Sequence, residues 1–463
     1  MNALATELTA QAPPPIVALA DRARQEGGHL LLVGGCVRDV ALGRSPRDWD
    51  VEIYGLPPAV VERMLDESGY EHSGWVQRRT PLLFASVAEL PALEVSVVES
   101  LPAAGLAAGF AEQARGRDLT VNAIACDPLT RDVHDPERGL EDLAAGRLRA
   151  VDLSRFGEDP LRVLRVARFT ATLPAVADAD LLRCCRELAL TDVAPERIFS
   201  ELEATLLAPE PATGLRALRE TGALAVLPEL AAMIDVPQSP RWHPEGCVWT
   251  HTLMVVEQAV PLRSGDAERD AWLMWAALLH DLGKPDATQV DADGVVRSHG
   301  HDVAGANEAV DLLQRLRASK RGVLAIAALV RHHLAPAMLV EQDASDRAFR
   351  RLARRLTSAG VDADLLEHVA RADHLGRTTP DALAGRFEAG GVFRARMSEL
   401  GVLREGPIAR VQGRDVLARG IPAGQEVGDV LSRCAEVADE TGWTDATRIL
   451  DRVLRERGER AST

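Results

Sequence analysis

LLVGGCVRDVALGRSPRDWDVEI, residues 31–53, is the stretch from which the rest of the chain can be read. Residues 30–33 are a continuous apolar run with the length of a buried strand, ended by Gly34 and Gly35. Two glycines there let backbone N–H groups approach a phosphate chain with no side chain in the way. A short helix is predicted over 37–42, closed by Gly43. A turn through Ser45 and Pro46 then leads into Arg47-Asp48-Trp49-Asp50-Val51-Glu52-Ile53. In a strand, Asp48 and Asp50 project from one face. Adjacent carboxylates repel unless a cation lies between them, and Mg²⁺ is commonly held by one or two carboxylates plus substrate phosphates. A Gly-Gly turn or an Asp-x-Asp strand is common by itself. Together they read as a phosphate cradle followed by a metal-binding strand.

The chain is long enough, at 463 residues, for two to four domains, and its 46% hydrophobic and 26% charged residues are ordinary for globular proteins. The net charge of −16 argues against a non-specific nucleic-acid binder, which would be basic. It leaves room for an RNA substrate bound by a local patch. Lys284 and Lys320 are the only lysines, so arginine supplies nearly all the positive charge. The N-terminus has no basic segment followed by an apolar core, so no secretory signal is expected. No uninterrupted apolar run approaches the roughly 18–20 residues that span a bilayer, so no membrane partner is expected. The six cysteines form no C-x-x-C pair, which fits a reducing cytoplasm. The residues carry no signal for an oligomeric state.

GGCVRD followed by RDWDVEIYG resembles the head of the polymerase-β-like nucleotidyltransferases, and within them the tRNA nucleotidyltransferases, or CCA-adding enzymes. The resemblance implies an α+β chain. A mixed-sheet nucleotidyltransferase head over 28–150 follows a lead-in over 1–27. An all-α neck over 151–235 reads the base and binds RNA, an all-α HD domain covers 236–385, and a helical tail covers 386–463. A helix is expected over 60–69, and strands over 82–88 and 93–98. Glu94 is the one acid in the β-branched run 93–98. It reads either as an edge-strand charge or, by the resemblance, as a third carboxylate facing Asp48 and Asp50. Arg115-Gly116-Arg117-Asp118-Leu119-Thr120-Val121-Asn122-Ala123 matches a second signature, with Gly116 in place of an arginine. Arg117 suits phosphate or ribose contacts and Asn122 a sugar hydroxyl. Asp118 and Thr120 also suit a helix cap. A third signature spans His134 to Leu143, with Arg138 where a glycine is expected, and reads as a structural hinge.

In the neck, Glu158-Asp159-Pro160-Leu161-Arg162 opens a helix, and Arg165 and Arg168 share a broad face with Arg162. Spacing alone fits a solvated arginine face. The resemblance makes Asp159 and Arg162 a base template, with Arg165 and Arg168 beside it. Cytosine and adenine both present an amino donor beside a ring acceptor, which an Asp acceptor and an Arg donor complement. Uracil and guanine present the reverse polarity. A good bidentate contact is worth about 1–3 kcal/mol, and unpaired buried groups add to the rejection. Residues 195–201 resemble a last signature that braces the neck helices.

Nine of the twelve histidines fall within 243–374. His251, His280-Asp281 and Asp373 follow the H…HD…D order of the HD metal-dependent phosphohydrolases. Imidazole and carboxylate suit Ni, Mn, Fe or Zn. His299 and His301, or His332 and His333, would complete a second metal or grip a phosphate, and spacing does not rank them. In the tail, Gly413 and Gly420 read as helix ends and Asp415 as lying near a helix start.

The resemblance implies attack of a tRNA 3′-hydroxyl on the α-phosphate of CTP and then ATP, with loss of pyrophosphate. Asp48 and Asp50 would hold Mg²⁺, Glu94 would help activate the hydroxyl, and Gly34, Gly35 and Arg38 would hold the triphosphate. Between Glu94 and Arg117, resembling enzymes carry a lever loop. Here residues 102–109 are mostly Ala and Gly and carry no charge, so terminal A addition is expected to be slower than C addition. The alternatives are a CC-adding enzyme, a poly(A) polymerase-like RNA adenylyltransferase, an HD phosphohydrolase with a degraded head, and a binder of RNA ends.

Overall fold

The computed structural model describes residues 2–76, 80–88, 90–190, 193–406 and 410–461. Helices α1 (Asn2–Gln11) and α2 (Pro14–Gln25) precede β1 (His29–Val33), α3 (Gly35–Ala41), β2 (Trp49–Tyr54), α4 (Pro58–Glu67), β3 (Glu71–His72), β4 (Leu82–Val87) and β5 (Leu90–Val98). Then come α5 (Leu106–Ala114), β6 (Ala125–Cys126), β7 (Val133–His134), α6 (Gly139–Ala144) and α7 (Arg162–Thr172). Strands β1–β7 form one mixed sheet in the order β3-β4-β5-β2-β1-β6-β7. Among its pairs only β2–β5 is parallel.

The apolar run 30–33 is continuous because both faces of β1 are covered. Leu30 and Leu32 join a large core with Val51, Ile53, Val95 and α1–α4, whereas Leu31 and Val33 join a smaller one with Tyr54, Phe110 and Ala114. Residues 1–27, read as a lead-in, contribute Leu8, Ile16 and Leu19 to the large core, and the prolines mark the break between α1 and α2. The span 102–109 departs from the expected uncharged loop. Leu106 already opens α5, whose Phe110 and Ala114 are buried on the smaller core. Alanine-rich sequence favours helix, and Phe110 anchors it. Arg138 has φ 58, the left-handed conformation for which a glycine is suited. Gly139 beside it has no room for a side chain, since a Cβ there would lie 2.1 Å from the Thr120 carbonyl oxygen.

Neck helices are α8 (Ala179–Glu187), α9 (Pro195–Leu206), α10 (Pro211–Glu220) and α11 (Pro228–Ala232). They are followed by α12 (Val248–Ala259), α13 (Ala267–Leu279), α14 (Lys284–Ala287), α15 (His301–Arg315), α16 (Lys320–His332), α17 (Ala335–Glu341), α18 (Asp346–Ser358), α19 (Ala363–Leu375), α20 (Pro380–Leu383) and α21 (Glu388–Glu399). The tail is α22 (Gly413–Leu417), α23 (Gln425–Thr441) and α24 (Ala446–Ala461), with its own core around Val416, Cys434 and Ile449. Gly413 opens α22, and Gln412 with Asp415 forms a reciprocal cap there. Residues 407–409, the start of the tail segment singled out in the sequence, lie outside the described residues. Two compact units result, 1–193 with 213–226 and 194–212 with 227–463, so the neck is divided between them. The stretch 320–341 is apolar enough in composition to cross a membrane, but it is two helices, α16 and α17, with a buried His333 between them.

Leu8 is fully buried in the head core. Leu8→Ala should therefore cost about 2–5 kcal/mol, read as faster hydrogen exchange throughout β1 and β2. A detachable lead-in would leave that exchange unchanged.

Candidate active sites

Asp48 lies just before β2 and Asp50 within it, and the parallel register sets Asp50 opposite Glu94 of β5. These three carboxylates line one cavity of about 550 Å³. Strand β5 lies between β4 and β2, so Glu94 is not an edge-strand charge. Burial, with Glu94 and Asp48 nearby, pushes the Asp50 carboxyl up to about 6 against the pull of Arg117 and Arg38. The set fits Mg²⁺: hard oxygen donors whose mutual repulsion a divalent cation relieves.

Beside the acids, Gly34 has φ 66, and a Cβ on it would lie 2.9 Å from Nη1 of Arg117. Arg117 is locked in place. Its Nη1 donates to the Asn122 carbonyl at 3.0 Å and its Nη2 to Glu52 at 2.5 Å, while Tyr54 donates to the other Glu52 oxygen at 2.5 Å. Asn122 accepts from Arg38 Nη1 at 2.6 Å and donates to Asp118 at 2.9 Å. One carboxamide hydrogen and one lone pair are left for a sugar. Asp118 is buried and also accepts from Arg165 Nε at 2.7 Å. Burial alone would raise its carboxyl, but Arg165 and Asn122 hold it well below the usual carboxylate range. Asp118 thus ties the sheet to α7 and does not cap a helix. Thr120 instead donates to the buried Asp142 at 2.6 Å. Arg38, Arg165 and Arg168 gather around the Phe169 ring, at 5.3, 5.3 and 4.4 Å from its centre. Arg162 opens α7 and donates to the carbonyls of Gly116 at 2.6 Å and Arg155 at 3.1 Å, and Asp159 accepts from the Leu161 N–H at 3.2 Å. The structure therefore sets Asp50 and Glu94 on β2 and β5, Arg38 on α3, Arg117 and Asn122 between α5 and β6, and Arg162 at the start of α7. Glu52 and Asp118 were not assigned to the site from the sequence. Glu52 carried a signal, since it follows Asp50 on the same strand face.

The second site lies where α12, α13, α15, α16 and α19 converge. His251, His280, Asp281, His301, His333 and Asp373 are all buried there. His251 with His280 and Asp281, and Asp281 with His301 and His333, each bring their ligand atoms within 4.8 Å of one another. His251 Nε2 lies 3.1 Å from Asp373, His280 Nε2 3.1 Å from Asp281, and His301 Nε2 3.3 Å from Asp281. The Nδ1 atoms of His280, His301 and His333 point to the carbonyls of Ala277, Ser298 and Val330 at 2.9, 2.7 and 2.7 Å. A carbonyl accepts only from N–H, so these rings carry the proton on Nδ1 and turn an Nε2 lone pair inward. Nε2 of His280 and of His301 is buried without a hydrogen-bond partner, which is what a metal ligand requires. His251 Nδ1 is 2.8 Å from Glu245, which also sits 2.9 Å from Nδ1 of His243. Geometry thus ranks the histidine pairs: His301 and His333 join the site, whereas His299 is exposed and His332 is half-buried outside it. Burial would raise Asp281, yet His280 and Lys284 hold it well below its ordinary range. Glu245, Lys284 and Arg377 were missed in the sequence, where only their nearness to clustered histidines could have marked them.

Asp50 yields a prediction with a definite sign. Its carboxyl in the folded chain is raised from 3.8 to about 6, so the folded state binds that proton more tightly than the unfolded one. Stability from this group is lost as pH rises from about 4 through 6. In chelator at pH 7, Asp50→Asn should be more stable than the parent by about 2–3 kcal/mol in urea unfolding of the head. The difference should vanish near pH 4, and nucleotide addition should be lost. Equal stability at pH 7 would mean that neither burial nor the neighbouring acids raise this carboxyl.

Comparisons with known proteins match the regions that hold both sites. Residues 30–149 match the poly A polymerase head domain, 181–234 the probable RNA and SrmB-binding site of polymerase A, and 248–375 the HD domain. A multifunctional CCA protein of Halorhodospira halophila is 34% identical over 439 residues, covering 88% of this chain and 95% of that one. One from Neisseria meningitidis is 37% identical over 305 residues, covering 62% of this chain and 68% of its own. Among solved structures, the CCA-adding enzyme of Bacillus stearothermophilus in complex with CTP superposes with a TM-score of 0.62 at 23% identity, over 97% of this chain and all of that one. That of Thermotoga maritima complexed with tRNA gives 0.57 at 17% identity, over 98% of both chains. With one relative matched nearly end to end and both catalytic modules present, the chain belongs to the CCA-adding nucleotidyltransferases, in the bacterial branch that carries an HD domain.

Proposed function

We propose that the chain builds the CCA end of tRNA from CTP and ATP, releasing pyrophosphate, and that its HD domain is a metal-dependent phosphohydrolase. The observation that carries the first reading is the convergence of Asp48, Asp50 and Glu94 on one cavity beside the Gly34–Gly35 turn. Mg²⁺ held by Asp48 and Asp50 supplies charge neutralisation of the phosphates and activation of the attacking hydroxyl. Gly34 and Gly35 leave room for the triphosphate, and Arg38 and Arg117 meet its charge. Glu94 accepts the proton of the 3′-hydroxyl as that oxygen bonds to the α-phosphorus and pyrophosphate leaves. Asp159 and Arg162 read the base. For that, Arg162 gives up its bonds to the Gly116 and Arg155 carbonyls. Retention of every acid and of Asp159 and Arg162 speaks against a degraded head and against a protein that only binds RNA ends. A cytoplasmic setting is in keeping with six cysteines that form no disulfide.

For the HD domain, the inward Nε2 atoms and the sharing of Asp281 by two ligand groups support a pair of transition-metal ions such as Ni, Mn, Fe or Zn. A metal bound there supplies a water nucleophile at neutral pH. Lys284 and Arg377, paired with Asp281 and Asp373, supply the positive charge near a bound phosphate.

The decisive assay is extension of tRNA lacking its 3′ end with each NTP separately, followed by sequencing of the products. C, C and A should be added and nothing else, and single-turnover rates should be lower for the terminal A than for either C. Products ending in CC would favour the CC-adding alternative, and long A tails the adenylyltransferase. In the same assay, Asp159→Ala or Arg162→Ala should raise UTP and GTP use relative to CTP by about 5- to 100-fold, the worth of one bidentate contact. Unchanged rejection of UTP and GTP would remove the template role.

His280→Ala combined with Asp281→Ala should strip transition metal from the purified protein by elemental analysis, while CCA addition persists. Full metal content in that variant would place the ions elsewhere.

A further inference from the structure

We propose that Phe84 is the platform on which the last base of the RNA acceptor stacks, in front of the attacking hydroxyl. The inference rests on reading the head as a tRNA nucleotidyltransferase. The order of strands supplies the first step. Strand β2, with Asp50, has β1 and β6 on one side and β5 and β4 on the other. Groups suited to the triphosphate collect on the β1 side. A Cβ on Gly34 or on Gly35 would lie 3.8 Å from Asp50 Oδ2, with Arg117 2.9 Å from the first and Arg38 3.7 Å from the second. In phosphoryl transfer the entering and leaving oxygens lie roughly in line. If pyrophosphate departs toward β1, the acceptor hydroxyl enters from the side of β5 and β4.

On that side the register runs straight across the sheet: Asp50 is opposite Glu94, and Glu94 is opposite Phe84. Residues opposite one another share a face. The reverse face is closed, because Leu83, Ala85, Leu93 and Val95 are packed into the large core. Phe84 therefore turns toward the acids, and half of its surface, 50%, is exposed. Among the described residues only Phe84 and Trp242 are large aromatics left exposed in this way. Asp48, Asp50, Glu94 and Phe84 line the same cavity.

The platform is held rigidly. The Phe84 N–H donates to Ser73 Oγ at 3.1 Å, and its carbonyl accepts from the Ser73 N–H at 2.9 Å. One strand spacing, about 4.8 Å, separates Phe84 from Glu94, comparable with the reach from a ribose hydroxyl to its own base. The ligand must present an uncharged flat face, because three carboxylates repel any further anion at this end of the cavity. A nucleobase does so. Stacking also suits an acceptor whose last base changes after each addition, since every base has a π-face and none needs its own hydrogen-bond pattern.

The test uses the full-length protein and a tRNA minihelix ending in the fluorescent cytidine analogue pyrrolocytidine. Parent enzyme and Phe84→Tyr should quench the terminal base, whereas Phe84→Ala and Phe84→Leu should not. With an ordinary minihelix ending in C, Phe84→Ala should raise KM for RNA on the order of tenfold, the lower range for stacking of one base. KM for CTP should stay near that of the parent, and Phe84→Tyr should restore KM for RNA where Phe84→Leu does not. Quenching that survives in Phe84→Ala, rescue by leucine equal to rescue by tyrosine, or a parallel rise in KM for CTP would each overturn the inference. Failure of the parent enzyme to extend the minihelix at all would instead overturn the functional reading.

Discussion

The parallel pairing of β2 with β5 is the constraint on which the head depends. It is the one parallel pair among the described strands of its sheet, and it places Asp50 beside Glu94 with Asp48 a short step away. Folding thus gathers like charge where burial makes it costly, and the shift of Asp50 to about 6 is the mark of that cost. The expense is tolerable because the opposite face of the same strands is fully apolar. Trp49, Val51, Ile53, Leu93, Val95 and Val97 are all in the large core. Activity and strain are therefore located on one face and stability on the other, separated by the thickness of a sheet.

A second constraint sets positive charge in place without leaving it loose. Arg117 and Arg38 are positioned by Glu52 and Asn122, and Asn122 in turn by Asp118, which reaches Arg165 on α7. Hydrogen bonds to ionised partners are stronger and more directional than neutral ones. The arginines are consequently held before any phosphate arrives, so less ordering is needed on binding. Arg162 differs in kind. Its partners are two backbone carbonyls, uncharged acceptors that a base edge and Asp159 can replace.

In the HD domain, backbone carbonyls do the equivalent work. By accepting from Nδ1 of His280, His301 and His333 they fix the tautomer of three rings, while His251 meets Asp373 through Nε2. Nε2 of His280 and of His301 lie 3.1 and 3.3 Å from Asp281. The ligand set is thus preorganised by main chain at helix ends, where carbonyls have no partner within the helix.

Local pattern carried much of this. The strand before Gly34, the pairing of Asp48 with Asp50, the helix opening within 158–162 and the helix start near Asp415 depend on residues within a few positions of each other, so periodicity and turn chemistry made them legible. The resemblance added Glu94, Asp373 and the family. Other features needed the folded chain. Residues 102–109 are expected as loop from the resemblance, whereas the structure opens α5 at Leu106, with Phe110 meeting Tyr54 and Leu31 in the small core. Arg138 takes a left-handed conformation that its own side chain disfavours, next to a Gly139 pressed against Thr120. His301 rather than His299, His333 rather than His332, and the roles of Glu52, Asp118 and Glu245 rest on contacts such as His251 with Asp373, 122 residues apart. The sequence by itself determined which chemical groups this protein carries and the local elements that present them. Which of those groups meet was decided by tertiary structure, because register and helix packing set distances that no local periodicity encodes.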